Sequence, residues 1–210
     1  MKVQEGLRDR KKRETRETIT AAAMALFGER GYDAVTVADI ARAAGVSEKT
    51  VFNYFPAKED LVFNEGQARR DALLHAIRTR PAGTSLVEPF RRQTLELIDR
   101  VERGADPRIV AVPRLVAGSA VLRERLFLGW EREAAVLTPV IAEETGSGPD
   151  DLVPAVVARS LAWTNRLVFR AAFNRLIAGE DERALAADLR EQAHRAYDQL
   201  ERGLRDYGVR

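Results

Sequence analysis

Glu48, Lys49, Thr50, Asn53 and Tyr54 lie within one short segment of the chain, interleaved with apolar Val51 and Phe55. Short polar and basic side chains near the start of a helix are suited to reading base edges in a DNA major groove. Asn53 can pair with adenine, and Lys49 can reach guanine O6 and N7. The Tyr54 hydroxyl can meet a phosphate, which positions a protein without reading sequence. A second set is electrostatic. Arg8, Arg10, Lys11, Lys12, Arg13 and Arg16 crowd into nine residues, against Asp9 and Glu14. Such a basic arm is expected to follow phosphates or enter a minor groove, with Arg10, Lys11, Lys12 and Arg13 as its contacts. Its alternative is a solvated tail. Lys58, just past Pro56, is a phosphate-contact candidate at an expected helix start.

Other chemistry is poorly served. The two histidines, His75 and His194, lie far apart and in no metal-spaced motif. Glu143-Glu144 and Asp150-Asp151 flank a Gly-rich loop and read as solvated helix ends. The chain has no cysteine, which excludes disulfides, thiolate metal sites and a cysteine nucleophile. No nucleophile elbow, phosphate loop or dinucleotide fingerprint occurs. Catalytic residues, metal ligands and cofactors are therefore not expected. A helical enzyme is the weak alternative.

The polar segment needs elements to present it. Thr36 and Asp39 form a [ST]-x-x-[DE] capping box, so a helix starts after Thr36. Val37, Ile40, Ala41 and Ala44 mark its apolar face. Gly45 ends it, because only glycine takes a left-handed conformation without a Cβ clash. Ser47 caps a second helix, with Glu48 at the positive end of its dipole. Val51 and Phe55, four residues apart, face inward. Two short helices joined at Gly45-Val46 make a helix-turn-helix over about residues 36–55. Thr36 and Ser47, at the two helix starts, join the candidate DNA contacts.

The run ITAAAMALFGERGYDAVTVADIARAAGVSEKTVFNYFPAKEDLV, Ile19 to Val62, resembles the N-terminal domain of the tetracycline-repressor-like (TetR) transcriptional regulators. The resemblance rests on AxxLFxxxGY at Ala23 to Tyr32, TVxDIAxxAGVS at Thr36 to Ser47, and NYFPxKEDL at Asn53 to Leu61. It covers about the first 65 residues. It implies an all-α fold of about nine helices, a three-helix DNA-binding domain followed by a helical ligand-binding and dimerisation domain. It also implies a homodimer on double-stranded DNA and release by a small-molecule effector of unknown identity. Many members carry Tyr where this chain has Phe52. Phe52 cannot donate to phosphate, so packing or a thymine-methyl contact is expected of it.

Composition agrees with a folded chain. Of 210 residues, 45% are hydrophobic, and the formal net charge is only +2, so charge distribution says more than its total. The N-terminus is charged with no apolar signal region behind it, and no run is long enough to span a membrane. A cytoplasmic protein without a membrane partner is expected. The arm and DNA-binding domain are assigned to residues 1–56. The helical effector and dimer domain is assigned to 57–210, with 57–79 as a linking helix. The first helix is expected over Thr15–Glu29, and Pro139 is expected to kink or interrupt a helix over Val121–Glu144. Asp106 is read as an N-cap.

Two features of the second half suggest sites. The last helix carries Leu185, Leu189, Ala193, Ala196 and Leu200 on one stripe, and the helix before it is apolar on more than one side. These are read as a dimer seam, since a two-fold protein matches a palindromic operator. Phe127, Trp130, Trp163, Phe169 and Phe173, interleaved with Arg114, Arg166 and Arg170, form the candidate effector pocket. Arginines in such apolar surroundings can hold a carboxylate or phosphate. The reading is a ligand-responsive repressor on a palindromic operator. An architectural DNA binder without a ligand is the alternative, weakened by the roughly 150 residues that follow the DNA-binding unit.

Overall fold

The structure, a computed structural model, describes residues 6–104, 108–205 and 207–208. The fold is all-α: nine α-helices and one short 3-10 turn, with no strand among the described residues. In chain order the helices are α1 (Leu7–Arg30), α2 (Val37–Ala43), α3 (Glu48–Tyr54), α4 (Gly66–Arg78), α5 (Val87–Arg103), α6 (Arg108–Gly118), α7 (Ala120–Thr145), α8 (Val153–Ile177) and α9 (Glu182–Gly203). The 3-10 turn, Lys58–Leu61, lies between α3 and α4. The chain forms two compact units. One holds residues 6–64 and 114–123; the other holds the remaining described residues from 65 onward.

In the first unit, Ile19, Ala23 and Phe27 of α1 are buried at helical spacing, with Ile40 and Ala41 of α2 and Val51 of α3. The Phe27 and Tyr32 rings meet at 5.2 Å between centroids. Ser119 and Leu122 belong to this unit and are buried. The Ser119 hydroxyl donates to Asp33 at 2.9 Å.

The second unit has two core clusters. One joins Leu73 and Ile77 of α4 with Phe90 of α5, Leu137 and Ile141 of α7, Leu161 of α8 and Tyr197 of α9. The other joins Ile98 and Val101 of α5 with Val168, Ala172 and Leu176 of α8 and Leu185, Leu189 and Ala193 of α9. Tyr197 reaches this interior with its polar end satisfied, sharing a 2.7 Å hydrogen bond with buried Thr94. Burial pushes its phenol up to about 12.

Four boundaries differ from expectation. The basic arm is not a tail: α1 begins at Leu7, so Arg8, Arg10, Lys11, Lys12 and Arg13 are helical. Pairs at i,i+4, Arg10–Glu14 and Arg13–Glu17, support those added turns. Lys58 does not open the linking helix. The 3-10 turn intervenes, and α4 starts only at Gly66. Pro139 does not interrupt α7, which runs unbroken to Thr145. The bond lost is to the carbonyl of Ala135, an exposed residue, where water can replace it. Glu144 is no solvated helix end. It pairs with buried Arg80 at 2.6 Å. Asp106 lies outside the described residues.

Candidate nucleic-acid interface

The interface is built from two short helices whose starts are capped by Thr36 and Ser47. The Thr36 hydroxyl accepts the Asp39 amide at 3.1 Å, and the Asp39 carboxylate accepts the Thr36 amide at 3.0 Å. This is the expected capping box. The Thr36 hydrogen bonds, with Arg30 and Arg42 nearby, hold the Asp39 carboxyl below its ordinary range. At the other end of α2, Val46 donates to the Ala41 carbonyl and Gly45 to Arg42. That is a Schellman closure, and Gly45 supplies it at φ 68°. The Ser47 hydroxyl then accepts the Thr50 amide at 3.1 Å, starting α3.

A seven-residue helix is marginal by itself, so α3 depends on what holds it. Val51 and Phe55 are buried beneath it. Its last turn is held from α1. Arg16 Nη1 donates to the Tyr54 carbonyl at 2.9 Å, and the guanidinium lies 4.2 Å from the centre of the Phe55 ring. A cation at a helix C-terminus opposes the negative end of the dipole.

The side chains left outward on α3 are Glu48, Lys49, Phe52 and Asn53. Thr50 and Tyr54 are half-buried, and the Thr50 hydroxyl is bonded to that of Ser47 at 2.8 Å. Phe52 remains 47% exposed, so it does not serve packing alone. Lys58 is turned inward. Its ammonium donates to the Tyr32 carbonyl at 2.6 Å and lies 4.0 Å from the centre of that ring. Burial lowers its pKa. The Tyr32 phenol, raised chiefly by burial, donates to Glu59. Lys58, Tyr32 and Glu59 thus brace the turn behind α3.

The α1 residues sort by geometry. Arg10 and Arg13 are paired to glutamates along the helix. Arg8 and Lys12 lie two turns and one turn before Arg16, on the face that reaches α3. A run of basic residues shows no such face until it is wound into a helix.

Comparisons agree with this geometry. The sequence profile described as "Bacterial regulatory proteins, tetR family" matches residues 19–64. The chain is 31% identical over 171 residues to the HTH-type transcriptional regulator TcmR of Streptomyces glaucescens, covering 79% of this chain and 76% of that one. The chain belongs to the TetR family. It is a helix-turn-helix transcriptional regulator, as its relatives are. Solved TetR-like structures share its fold. NalD of Pseudomonas aeruginosa, the secondary repressor of the MexAB-OprM efflux pump, superposes with a TM-score of 0.57 at 20% identity, covering 88% of this chain and 97% of that one. SmeT, the repressor of the Stenotrophomonas maltophilia efflux pump SmeDEF, gives 0.56 at 17% identity, covering 86% and 89%. No described helix is long and apolar enough to cross a membrane.

The residues expected to form an effector pocket divide. Phe127, Trp130, Trp163 and Arg166 come together. The Arg166 guanidinium lies 4.1 Å from each indole centroid and 5.2 Å from that of Phe127. Phe169 and Phe173 make a separate edge-to-face pair at 6.1 Å, with Arg69 over Phe169. Arg170 is exposed, and Arg114 is exposed and belongs to the first unit.

The residues expected at the dimer seam divide as well. Leu185, Leu189 and Ala193 are buried inside this chain, packed against α5 and α8, so they have no area left for a partner. Leu200 packs partly against the other cluster, and Ala196 is partly buried. On α8, the other helix of the expected seam, Val156 and Leu167 are 60% and 50% exposed.

Proposed function

We propose that this TetR-family chain is a ligand-responsive repressor in the cytoplasm. It binds a palindromic operator as a homodimer and leaves it when a small-molecule effector binds the helical domain. The observation that carries the reading is α3 itself, capped at both ends by Ser47 and Arg16, with Lys49, Phe52 and Asn53 left outward. A rigid short helix with a free polar face is what major-groove insertion requires. Lys49 and Asn53 read base edges, and Phe52 meets a thymine methyl. Arg8, Lys11 and Lys12 contact phosphate.

Dimerisation supplies the second recognition helix about one DNA turn away. Val156 and Leu167, eleven residues apart on one face of α8, form its apolar stripe. The effector acts by preferring the conformation that DNA does not, and the coupling is reciprocal. The SmeT–triclosan complex is an instance of a small molecule held by this fold.

The test is a titration of the purified protein against DNA from immediately upstream of its own gene, with scrambled competitor, at near-physiological salt. Sequence-selective binding of one dimer to a palindrome supports the reading. An architectural protein would bind all sequences alike.

A further inference from the structure

Several arginines of the second unit are paired to carboxylates. Arg80 pairs with Glu144, Arg91 with Asp198 and Glu201, Arg100 and Arg108 with Glu65, and Arg190 with Asp99 and Glu102. Arg166 is held by rings. Its guanidinium lies against three aromatic rings and makes no hydrogen bond among the described residues; its Nη1 is shut off from solvent with no acceptor.

Rings satisfy the faces of a guanidinium and leave its N–H edges unmet. A charged donor left without an acceptor away from water is costly, so an unmet edge asks for a partner. Glu131, the nearby acid, contributes only a long-range field. Burial accordingly lowers the Arg166 pKa, and Arg170 adds to the effect.

Beside this cage lies a cavity of about 370 Å³ between α7 and α8. Trp130, Glu131, Arg159, Ser160, Trp163 and Arg166 line it. The lining carries two arginines and one glutamate, so its balance is positive. Its walls offer flat indole surface, and its volume is at the small end for ligand sites.

We propose that the Arg166 cage binds a small aromatic carboxylate. The acid group meets the guanidinium N–H groups on the cavity side, and the ring lies along Trp130 and Trp163. This deepens the reading of the helical domain as effector-binding and rests on it for its regulatory consequence. Trp163 shares its α8 face with Val156 and Leu167, so a partner subunit docked there borders the cage; a concave lining of this volume still favours a small molecule over the partner's carboxylate as occupant.

The chain has only two tryptophans, and both are in the cage, so indole emission reports on this site alone. The experiment titrates the full-length protein with benzoate and phenylacetate at millimolar concentration, and with benzamide and phenylacetamide as uncharged counterparts. Saturable changes in emission are expected with the acids, at least about tenfold weaker with the amides. Arg166→Gln should cost at least about tenfold in acid affinity and leave the amides unchanged, with circular dichroism checking the fold. The acid–amide contrast in the unaltered protein needs no variant.

Equal binding of acids and amides would overturn the proposal, as would indoles that ignore the acids. Emission that follows protein concentration and not the acids would overturn it too, by giving the cage to a second copy. The operator titration is run in parallel. A protein that binds DNA with unresponsive indoles keeps the regulator and loses the cage. Responsive indoles without operator binding do the reverse.

Discussion

Arg16 of α1 donates to the carbonyl of Tyr54, the last residue of α3, at 2.9 Å. A residue that reads in sequence as part of a DNA-contacting arm instead closes the helix beside it. Arg16→Ala should destabilise the first unit by about 1–2 kcal/mol and weaken operator binding without touching a base. Chemical denaturation followed by circular dichroism measures the first effect. Unchanged stability would show that α3 needs no closure from α1.

Readout and attraction should separate by residue. Asn53→Ala should cost about 1–3 kcal/mol on the operator and relax preference at one position. Arg8→Ala with Lys12→Ala should weaken all DNA alike and lower the salt slope by roughly one to two. Arg10→Ala with Arg13→Ala should do less, since those side chains are held by Glu14 and Glu17. Binding isotherms at several salt concentrations decide the ranking.

Arg80 ties distant parts of the second unit together. It bonds the carbonyls of Ile77, Thr84 and Gly208 and the carboxylate of Glu144, all from a buried position. Arg80→Ala leaves Glu144 without this partner and should cost about 3–5 kcal/mol. In urea unfolding, the double variant with Glu144→Ala should be less damaged than the sum of the two single changes.

Acid should loosen the packing of α9. Hydrogen bonds from Arg175 hold the Glu180 and Asp188 carboxyls below their ordinary range, and Arg91 does the same for Asp198. Each is lower folded than unfolded, so the unfolded chain binds more protons as pH falls. Their contribution is present above the ordinary carboxylate range of about 4 and is lost as pH falls through the folded values. Thermal midpoints should fall across that window. Arg175→Met should shrink the fall, and equal slopes in both proteins would contradict the assignment.

Local signals were the legible ones. The capping box at Thr36 and Asp39, the glycine stop at Gly45 and the Ser47 cap depend on neighbours three to five residues away, and the structure reproduces them. The family motifs extended that reading to the whole DNA-binding unit. Partnership between distant segments was harder. The Leu185, Leu189, Ala193 stripe announces burial, yet periodicity cannot say whether the cover is α5 of the same chain or another copy. Trp163 and Arg166 stand three apart on α8, while their contact with Trp130 depends on how α7 lies beside it. Pro139 misled because the cost of a missing amide depends on exposure, which sequence does not print.

The first unit takes in residues 114–123, with Ser119 bonded to Asp33 and Leu122 buried. The chain therefore passes between the two units three times, after residues 64, 113 and 123, and the last two passages fall inside α6 and α7. No single cut excises an intact DNA-reading head. A fragment ending at Asn64 would leave Asp33 without Ser119 and forfeit Leu122. Recombination that exchanged heads between relatives would have to carry a second, distant piece of gene along with the first.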